Sequence, residues 1–391
     1  MSPVLQTALF ALIVLSLWGG LHYYFWRRIV KPLELSTAGE RWARLAIYVG
    51  GAMAPLVFIG NRFVGLAGWA QPMLWVGYVY MGLIGIALPL LWLRDFASLA
   101  ARPLGLDPER RKVLLRATNG AAGAVSVALG AYGVWAARQG PEVVEVTVPV
   151  PDLPEAFEGY RIAQITDVHV GLTITRPFIE PIVAAVNALK PDLIAVTGDL
   201  IDGSVELLRD HVAPLSTLSA PDGVYFVTGN HEYFYDGLGW CAEAERLGMT
   251  VLNEAHRVVS RGETKMLVAG VTDPTGKRYV SQHTSSVSEA VKGAPPCEVK
   301  LLLAHQPKNI LDAAKEGFHL QLSGHTHGGQ FFPWTVFIDL VWKWGPGLHL
   351  VDKTRLYVSR GTCYWGPPMR SGDGAPSEIT LLKLTRAVGA A

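Results

Sequence analysis

Hydrophobic and polar positions divide this chain into two regimes. Before about residue 140 the apolar residues come in long, nearly unbroken runs; beyond it they come in short runs separated by turns and by helically spaced stretches. Four runs in the first regime approach the roughly 20 residues that carry a helix across a bilayer. They cover about Pro3 to Trp26, Leu45 to Phe63, Pro72 to Leu93 and Ala117 to Ala137. The third and fourth hold Gly82, Gly85, Gly120, Gly123, Gly130 and Gly133, which suits close helix contacts in lipid. Tyr23, Tyr24, Trp26, Trp69, Trp75, Trp92 and Trp135 gather near the ends of the runs, as in an interfacial aromatic belt. Basic residues follow the first run and do not precede it, which speaks against a cleaved signal peptide. The pattern predicts a bundle of about four transmembrane helices over residues 1–138.

Residues 139–158 carry Pro141, Pro149, Pro151 and Pro154 around the alternating stretch Val143 to Val150, and read as a linker that becomes an edge strand. A soluble region, 159–391, follows. Short apolar runs predict strands at Tyr160–Ile165, Asp192–Thr197 and Gly223–Thr228. Helical spacing predicts helices at Pro177–Leu189, Val205–Leu218 and Leu238–Leu247. Strands alternating with helices imply an α/β fold with a mostly parallel sheet and a site at the strands' carboxyl ends. Further strands are expected at Thr250–Leu252, Arg257–Ser260, Met266–Val271, Val299–Ala304, the run before Gly324, Leu356–Ser359 and Ile379–Leu384, with a helix at Lys308–Lys315.

Charge orients the first regime. The first loop holds Arg27, Arg28, Lys31, Arg41 and Arg44, and the third holds Arg94, Arg102, Arg110, Arg111, Lys112 and Arg116, against Arg62 alone in the second. The positive-inside rule places loops one and three in the cytoplasm, and both termini with the soluble region on the extracytoplasmic side. The net charge of +1 gives no general affinity for nucleic acid. Three cysteines, Cys241, Cys297 and Cys363, form no CxxC pattern, so neither a disulfide framework nor a cysteine metal site is expected.

The candidate chemistry sits at the strand ends. Asp167 and His169 close the first strand, Asp199 and Asp202 follow the second, Asn230 and His231 follow the third, His305 follows a later one, and His325 and His327 follow the run ending at Ser323. Residues two apart on extended backbone point the same way, so His325 and His327 can face one point, and the glycines around them allow close approach. Eight N/O side chains (Asp167, His169, Asp199, Asn230, His231, His305, His325 and His327) are too many for one tetrahedral ion and suit two adjacent ions, with a carboxylate such as Asp199 bridging. Without thiolates, the donors point to Mn, Fe or Zn. Two such ions bind a phosphoryl oxygen and activate a shared water.

The order Asp-x-His, Gly-Asp-x-x-Asp, Gly-Asn-His-Glu, a lone His at a strand end and Gly-His-x-His resembles that of the calcineurin-like metallophosphoesterases, over about residues 158 to 385. Gly324-His325-Thr326-His327-Gly328-Gly329-Gln330 and Leu356 to Gly361 look like the bacterial membrane-associated branch of YkuE-type enzymes and relatives of UDP-2,3-diacylglucosamine pyrophosphatases. The resemblance implies a four-layer α/β/β/α sandwich and a two-metal centre. It would give Asp167, His169 and His327 to one ion, Asn230, His305 and His325 to the other, and Asp199 to both. His231 would protonate the leaving oxygen or stabilise charge, and Asp202 would orient a ligand. The sequence departs from the branch after Arg370, where Ser371 to Ser377 intervene before Glu378-Ile379, so the resemblance assigns no phosphate role to Arg370.

Together these features predict a membrane-anchored phosphoesterase acting on a phosphodiester or pyrophosphate, lipid-linked or envelope-derived, through a hydroxide bridging the metals. Membrane lipid and a phosphorylated substrate are the expected partners, and nucleic acid is not. Alternatives are a hydrolase of soluble phosphodiesters or nucleotides, and a non-catalytic module binding a phosphorylated ligand. A transporter is disfavoured, because the apolar interiors hold no Asp, Glu or His apart from His22 near one end. His211, His256, His283, His319 and His349 read as ordinary core or surface residues, and Asp273 as a turn residue. Arg360 reads equally as a substrate contact or a surface pair, and the aromatic stretch 331–344 as core packing or a segment dipping into the lipid interface.

Overall fold

A computed structural model describes residues 3–64, 71–105, 107–371 and 375–387. Trp69 and the interval Gly372 to Gly374 lie outside the described residues. The chain divides into two compact units, Met1–Val134 and Trp135–Ala391.

The first unit holds helices α1 (Pro3–Phe25), α2 (Thr37–Val64), α3 (Gln71–Ala100) and the larger part of α4 (Pro108–Arg138). Among the described residues, α3 and α4 are long and apolar enough to cross a membrane. The expected second span starts too late: α2 begins eight residues earlier and gathers Glu40, Arg41 and Arg44 into its first turns. Phe25, Ile84, Ala87, Leu91 and Ala122 form the small core of this unit. Leu17, Trp92, Leu93, Phe96 and Val127 stay exposed on it, as expected of helices whose outer faces meet lipid.

The second unit is built on two six-stranded sheets. One runs β1 (Glu142–Val150), β12 (Glu378–Arg386), β2 (Arg161–Ile165), β3 (Leu193–Thr197), β4 (Val224–Val227) and β5 (Thr250–Val251) across its width. The other runs β10 (Gly347–Val351), β11 (Thr354–Val358), β9 (Leu320–Ser323), β8 (Val299–Leu303), β7 (Thr264–Gly270) and β6 (Ala255–Arg261). Strands β2 to β5 are mutually parallel, as are β7, β8, β9 and β11.

Alternation of side chains along each strand feeds two cores at once. Leu193 and Ala195 of β3 join Leu301, Leu303, Leu320 and Leu322 of the other sheet in one buried cluster. Ile194 and Val196, between them, face α5 (Arg176–Ala188), α6 (Val205–Val212) and α8 (Gly237–Arg246) in a second cluster. Leu302, Leu267 and Ala269 do the same for α9 (Val287–Ala290) and α10 (Ile310–Lys315) on the far side. The layers therefore run helices, sheet, sheet, helices, and strands buried on both faces read as continuous apolar runs. The helix expected over Val205–Leu218 is shorter: it stops at Val212 and continues to Thr217 as a tight 3-10 turn with Pro214 at its start.

Candidate metal centre

Strands β2, β3, β4, β8 and β9 all end at one edge of the sandwich, and each delivers polar residues just past its last hydrogen-bonded position. Asp167, His169, Asp199, His325 and His327 all have positive φ, between 49° and 73°. Left-handed backbone is costly for such residues and collects at functional sites. Here it turns the chain so that Asp167 and His169 converge, whereas His325 and His327, expected on extended backbone to face one point, are sent to different ligand groups. The following helix, α7 (Asn230–Tyr235), starts at Asn230 itself, and the Glu232 carboxylate accepts from the N–H groups of Gly229, Asp199 and Leu200 at 2.6, 3.1 and 2.7 Å. Glu232 thus ties the end of β3 to the end of β4.

Three groups of potential ligands result: Asp167, His169 and His327 form the first, Asp199, His305 and His325 form the second, and His169, Asp202 and His231 form a third that shares His169 with the first. In the first, His169 Nε2 and His327 Nε2 face each other at 3.0 Å, and Asp167 Oδ1 lies 3.5 Å from His327 Nε2. In the second, His305 Nε2 lies 3.1 Å from both His325 Nδ1 and Asp199 Oδ2. The same Asp199 oxygen is 4.0 Å from His169 Nε2 and 3.9 Å from His231 Nε2, so it stands between the first two groups. Asp199 Oδ1 points the other way and accepts from the His231 N–H at 2.9 Å.

These residues fit divalent ions. Imidazole nitrogens held about 2.0–2.1 Å from a common ion lie roughly 3 Å apart from each other, the spacing of both histidine pairs. Asn230 Oδ1 is buried with no hydrogen-bond partner, an orphan acceptor that a cation would satisfy. His305 Nδ1 faces the Thr197 carbonyl at 2.8 Å, which in the neutral ring fixes the proton there and leaves Nε2 as a donor of its lone pair. The glycines leave room: a Cβ on Gly229 would meet Asp199 Oδ1 at 2.1 Å, and one on Gly324 would meet Asp167 Oδ2 at 2.1 Å.

Charge is organised in the same way. Burial works against ionisation of Asp199, but His305 and His231 beside it hold it well below the usual carboxylate range. Burial and the neighbouring His169 push His327 well below an ordinary histidine, and burial with His305 lowers His325. Burial disfavours a charged His231, yet Asp202 and Asp199 raise it to about 9; the partner Asp202 falls to about 2 despite its own burial.

Asp202 touches two histidines. Its Oδ1 bonds His231 Nδ1, and its Oδ2 lies 3.2 Å from His169 Nδ1. Arg370 is 1% exposed and donates to the carbonyl oxygens of His327, Arg360, Gly361 and Cys363. It is spent on clamping the loop under His327. Arg360 pairs with the buried Glu378 at 3.1 Å, and Asp273 accepts from Thr275 and Gln306 in a turn. Two aromatics, Trp365 and Phe234, carried no signal in the sequence because they lie outside the metal motifs, while Trp342 belongs to the aromatic stretch 331–344. Trp365 and Phe234 pack against His231 with ring centroids at 5.4 and 5.2 Å, and Trp342 stands edge-on to His325 at 5.1 Å.

Residues 160–329 match the calcineurin-like phosphoesterase family. The chain is 38% identical over 300 residues to a transmembrane protein with metallophosphoesterase domain from Bos taurus, covering 74% of this chain and 66% of the relative. It is 32% identical over 256 residues to a metallophosphoesterase from Aquifex aeolicus, covering 63% of this chain and 93% of the relative. It is 29% identical over 279 residues to the metallophosphoesterase YkuE of Bacillus subtilis, covering 68% and 93%. The chain spans 62–66% of the two similar transmembrane relatives, from Danio rerio and Bos taurus.

Proposed function

This chain belongs to the calcineurin-like metallophosphoesterases, and from that footing we propose that it is a membrane-anchored enzyme with two metal ions that cleaves a phosphodiester or pyrophosphate bond of a lipid-linked or envelope-derived substrate. It is a metal-dependent phosphoesterase hydrolase by family. The observation that carries the two-ion reading is Asp199 Oδ2, set between the His305/His325 pair and the His169/His327 pair. In this reading Asp167, His169 and His327 would hold one ion, Asn230, His305 and His325 would hold the other, and Asp199 would serve both. Bound there, Mn, Fe or Zn supplies Lewis-acid polarisation of the phosphoryl group and lowers the pKa of water.

The remaining steps belong to the chain's own groups. His231 holds a proton for the site on Nε2: its Nδ1–H donates to the ionised Asp202, which keeps the ring charged and turns the Nε2 edge toward Asp199 and the reacting centre. That places a general acid beside the departing oxygen. Asp202 holds both His231 and His169 in orientation. Trp365 and Phe234 flank His231 and limit water around it. The anchored, extracytoplasmic placement is supported by two membrane-length helices, by the basic loops around them and by relatives named transmembrane proteins.

The test uses the full chain in detergent, stripped of metal and resupplied with Mn, Zn or Fe, assayed on bis-p-nitrophenyl phosphate and on a phosphodiester with acyl tails. Turnover restored by metal and lowered at least about 100-fold by Asp199→Ala is the expected result. A folded, metal-loaded protein silent on both would overturn the enzyme reading and leave a ligand-binding module. Equal turnover with and without tails would move the substrate to soluble phosphodiesters.

A further inference from the structure

Three facts about the second unit concern the same edge of the sandwich. The first is where the chain enters it. Strand β1 runs parallel to β12, and β12 runs antiparallel to β2, so the start of β1 lies beside the end of β2. The contacts confirm the placement. Glu142 donates to the Ser377 carbonyl, Glu378 pairs with Glu142 and donates to the Gly361 carbonyl, and a Cβ on Gly361 would touch Asp167 at 3.1 Å and His327 at 3.2 Å. The residues just upstream, Trp135–Arg138, are the last turn of the membrane-length helix α4, and Ala137 is buried in the same cluster as Ile165, Val168 and Tyr364. The chain therefore enters the second unit at its metal-binding edge.

The second fact is an apolar helix whose outer face is exposed among the described residues. Helix α11 (Trp334–Val341) begins seven residues after His327 and ends beside Trp342, whose ring meets His325. It buries Ile338 and leaves Leu340 81%, Val341 74% and Val336 62% exposed, with Trp334 and Phe337 exposed beside them. The third fact is that Trp365, 49% exposed, adds a further apolar rim on the other side of the site, against His231 and His169. Lys343 follows the helix, exposed, with its ammonium over the Trp344 ring.

A water-facing helix with five of eight side chains apolar and exposed is unfavourable unless it is covered. A chain that already crosses a bilayer, and enters this unit from the same edge, supplies the cover. We propose that the metal-binding edge is a bilayer-docking face, with helix α11 lying in the lipid interface beneath Lys343 and the Trp365 rim. Such a helix sits about 5–10 Å into the headgroup boundary, with tryptophans and a lysine at headgroup level. The metal centre then works on phosphates presented at the membrane surface, and a headgroup reaches it without leaving the bilayer. This deepens the lipid-substrate reading above and rests on α3 and α4 crossing the membrane.

The test places an environment-sensitive fluorophore at Leu340→Cys in the full chain carrying Cys297→Ser, reconstituted in phosphatidylcholine–phosphatidylglycerol vesicles. A control label goes at Glu263→Cys, exposed in the β6–β7 turn at the opposite end of the second sheet. Bilayer docking predicts that brominated lipids quench the label at 340 at least twofold and that aqueous iodide is excluded, while the label at 263 shows the reverse. A label at 340 open to iodide would overturn the proposal. So would one shielded from iodide but untouched by brominated lipid, which would mean that protein covers the helix, a second copy included. The readout needs no catalysis, so it stands even if the phosphoesterase assay fails. A second measurement pairs Leu340→Glu with Val341→Glu. The double variant is expected to lose at least tenfold in turnover of a lipid-embedded diester and none on bis-p-nitrophenyl phosphate. Equal losses on both substrates would overturn it.

Discussion

At the scale of single residues, we propose that the groups holding metal are separate from a group that handles a proton. His231 shares the Asp202 carboxylate with His169, its Nδ1 against Oδ1 and its Nε2 toward Asp199, but it has no second imidazole nitrogen facing its Nε2 at about 3 Å as His169 has in His327. His231→Gln should lower kcat by about 10²- to 10⁴-fold while leaving bound metal, read by elemental analysis, unchanged. Loss of metal in that variant would make His231 a ligand instead. In the metal-free protein His231 sits at about 9 against an ordinary 6.5, so its charged form stabilises the fold below pH 6.5 and that contribution is lost as pH rises through 9. Glu232, raised to about 7 from 4.5 by burial and by Asp199, acts in the same direction: its neutral form is favoured, and rising pH between those values costs stability. The lowered His325 and His327 act the other way below pH 6.5, so the melting temperature of metal-stripped protein should fall from pH 7 to pH 9, and a rise across that window would contradict the assignment. The site was legible in the sequence because its members sit at strand ends in short motifs, but the i, i+2 rule did not place His325 and His327, whose backbone is left-handed and not extended and which join different groups. Glu232 was visible only as a motif letter; its grip on three N–H groups depends on β3 and β4 being neighbours, which no local pattern states.

At the scale of elements, the strand-to-turn junctions are the sensitive parts. Gly324 closes β9 against β2, and its missing side chain makes room for Asp167 and Thr166. Gly324→Ala should cost about 1–3 kcal/mol in stability, measured by urea unfolding, and should reduce metal content with it. Unchanged metal content would mean that the junction is looser than its contacts. The strands β2, β3, β4, β7, β8 and β9 were readable as apolar runs because both faces of each sheet are buried. Strand β10 was not, since Gly347–Val351 is only partly covered and pairs as an antiparallel edge. Helix α11 was read as an undivided aromatic stretch: its exposed face carries the same kind of residue as its buried one, which erases the periodicity that marks a helix.

At the scale of the whole molecule, stability of the second unit rests on the cluster shared by its two sheets. Leu301→Ala, in that cluster and away from the ligands, should cost about 2–5 kcal/mol in urea unfolding without altering the metal requirement of the folded fraction. The order of strands also sets a timetable for biosynthesis. Strand β12 lies between β1 and β2, yet more than two hundred residues of synthesis separate it from β1. At roughly 5–20 residues per second, β1 waits on the order of tens of seconds for its only hydrogen-bonding neighbour among the described strands. During that interval it is a solitary ribbon beside the membrane, open to pairing with a neighbouring nascent chain. Its glutamates at 142 and 145 and its proline at 149 are the kind of residues that keep such a ribbon from sticking. A ribosome stalled before Glu378 would release a chain with a gap in the sheet where β12 belongs, between β1 and β2.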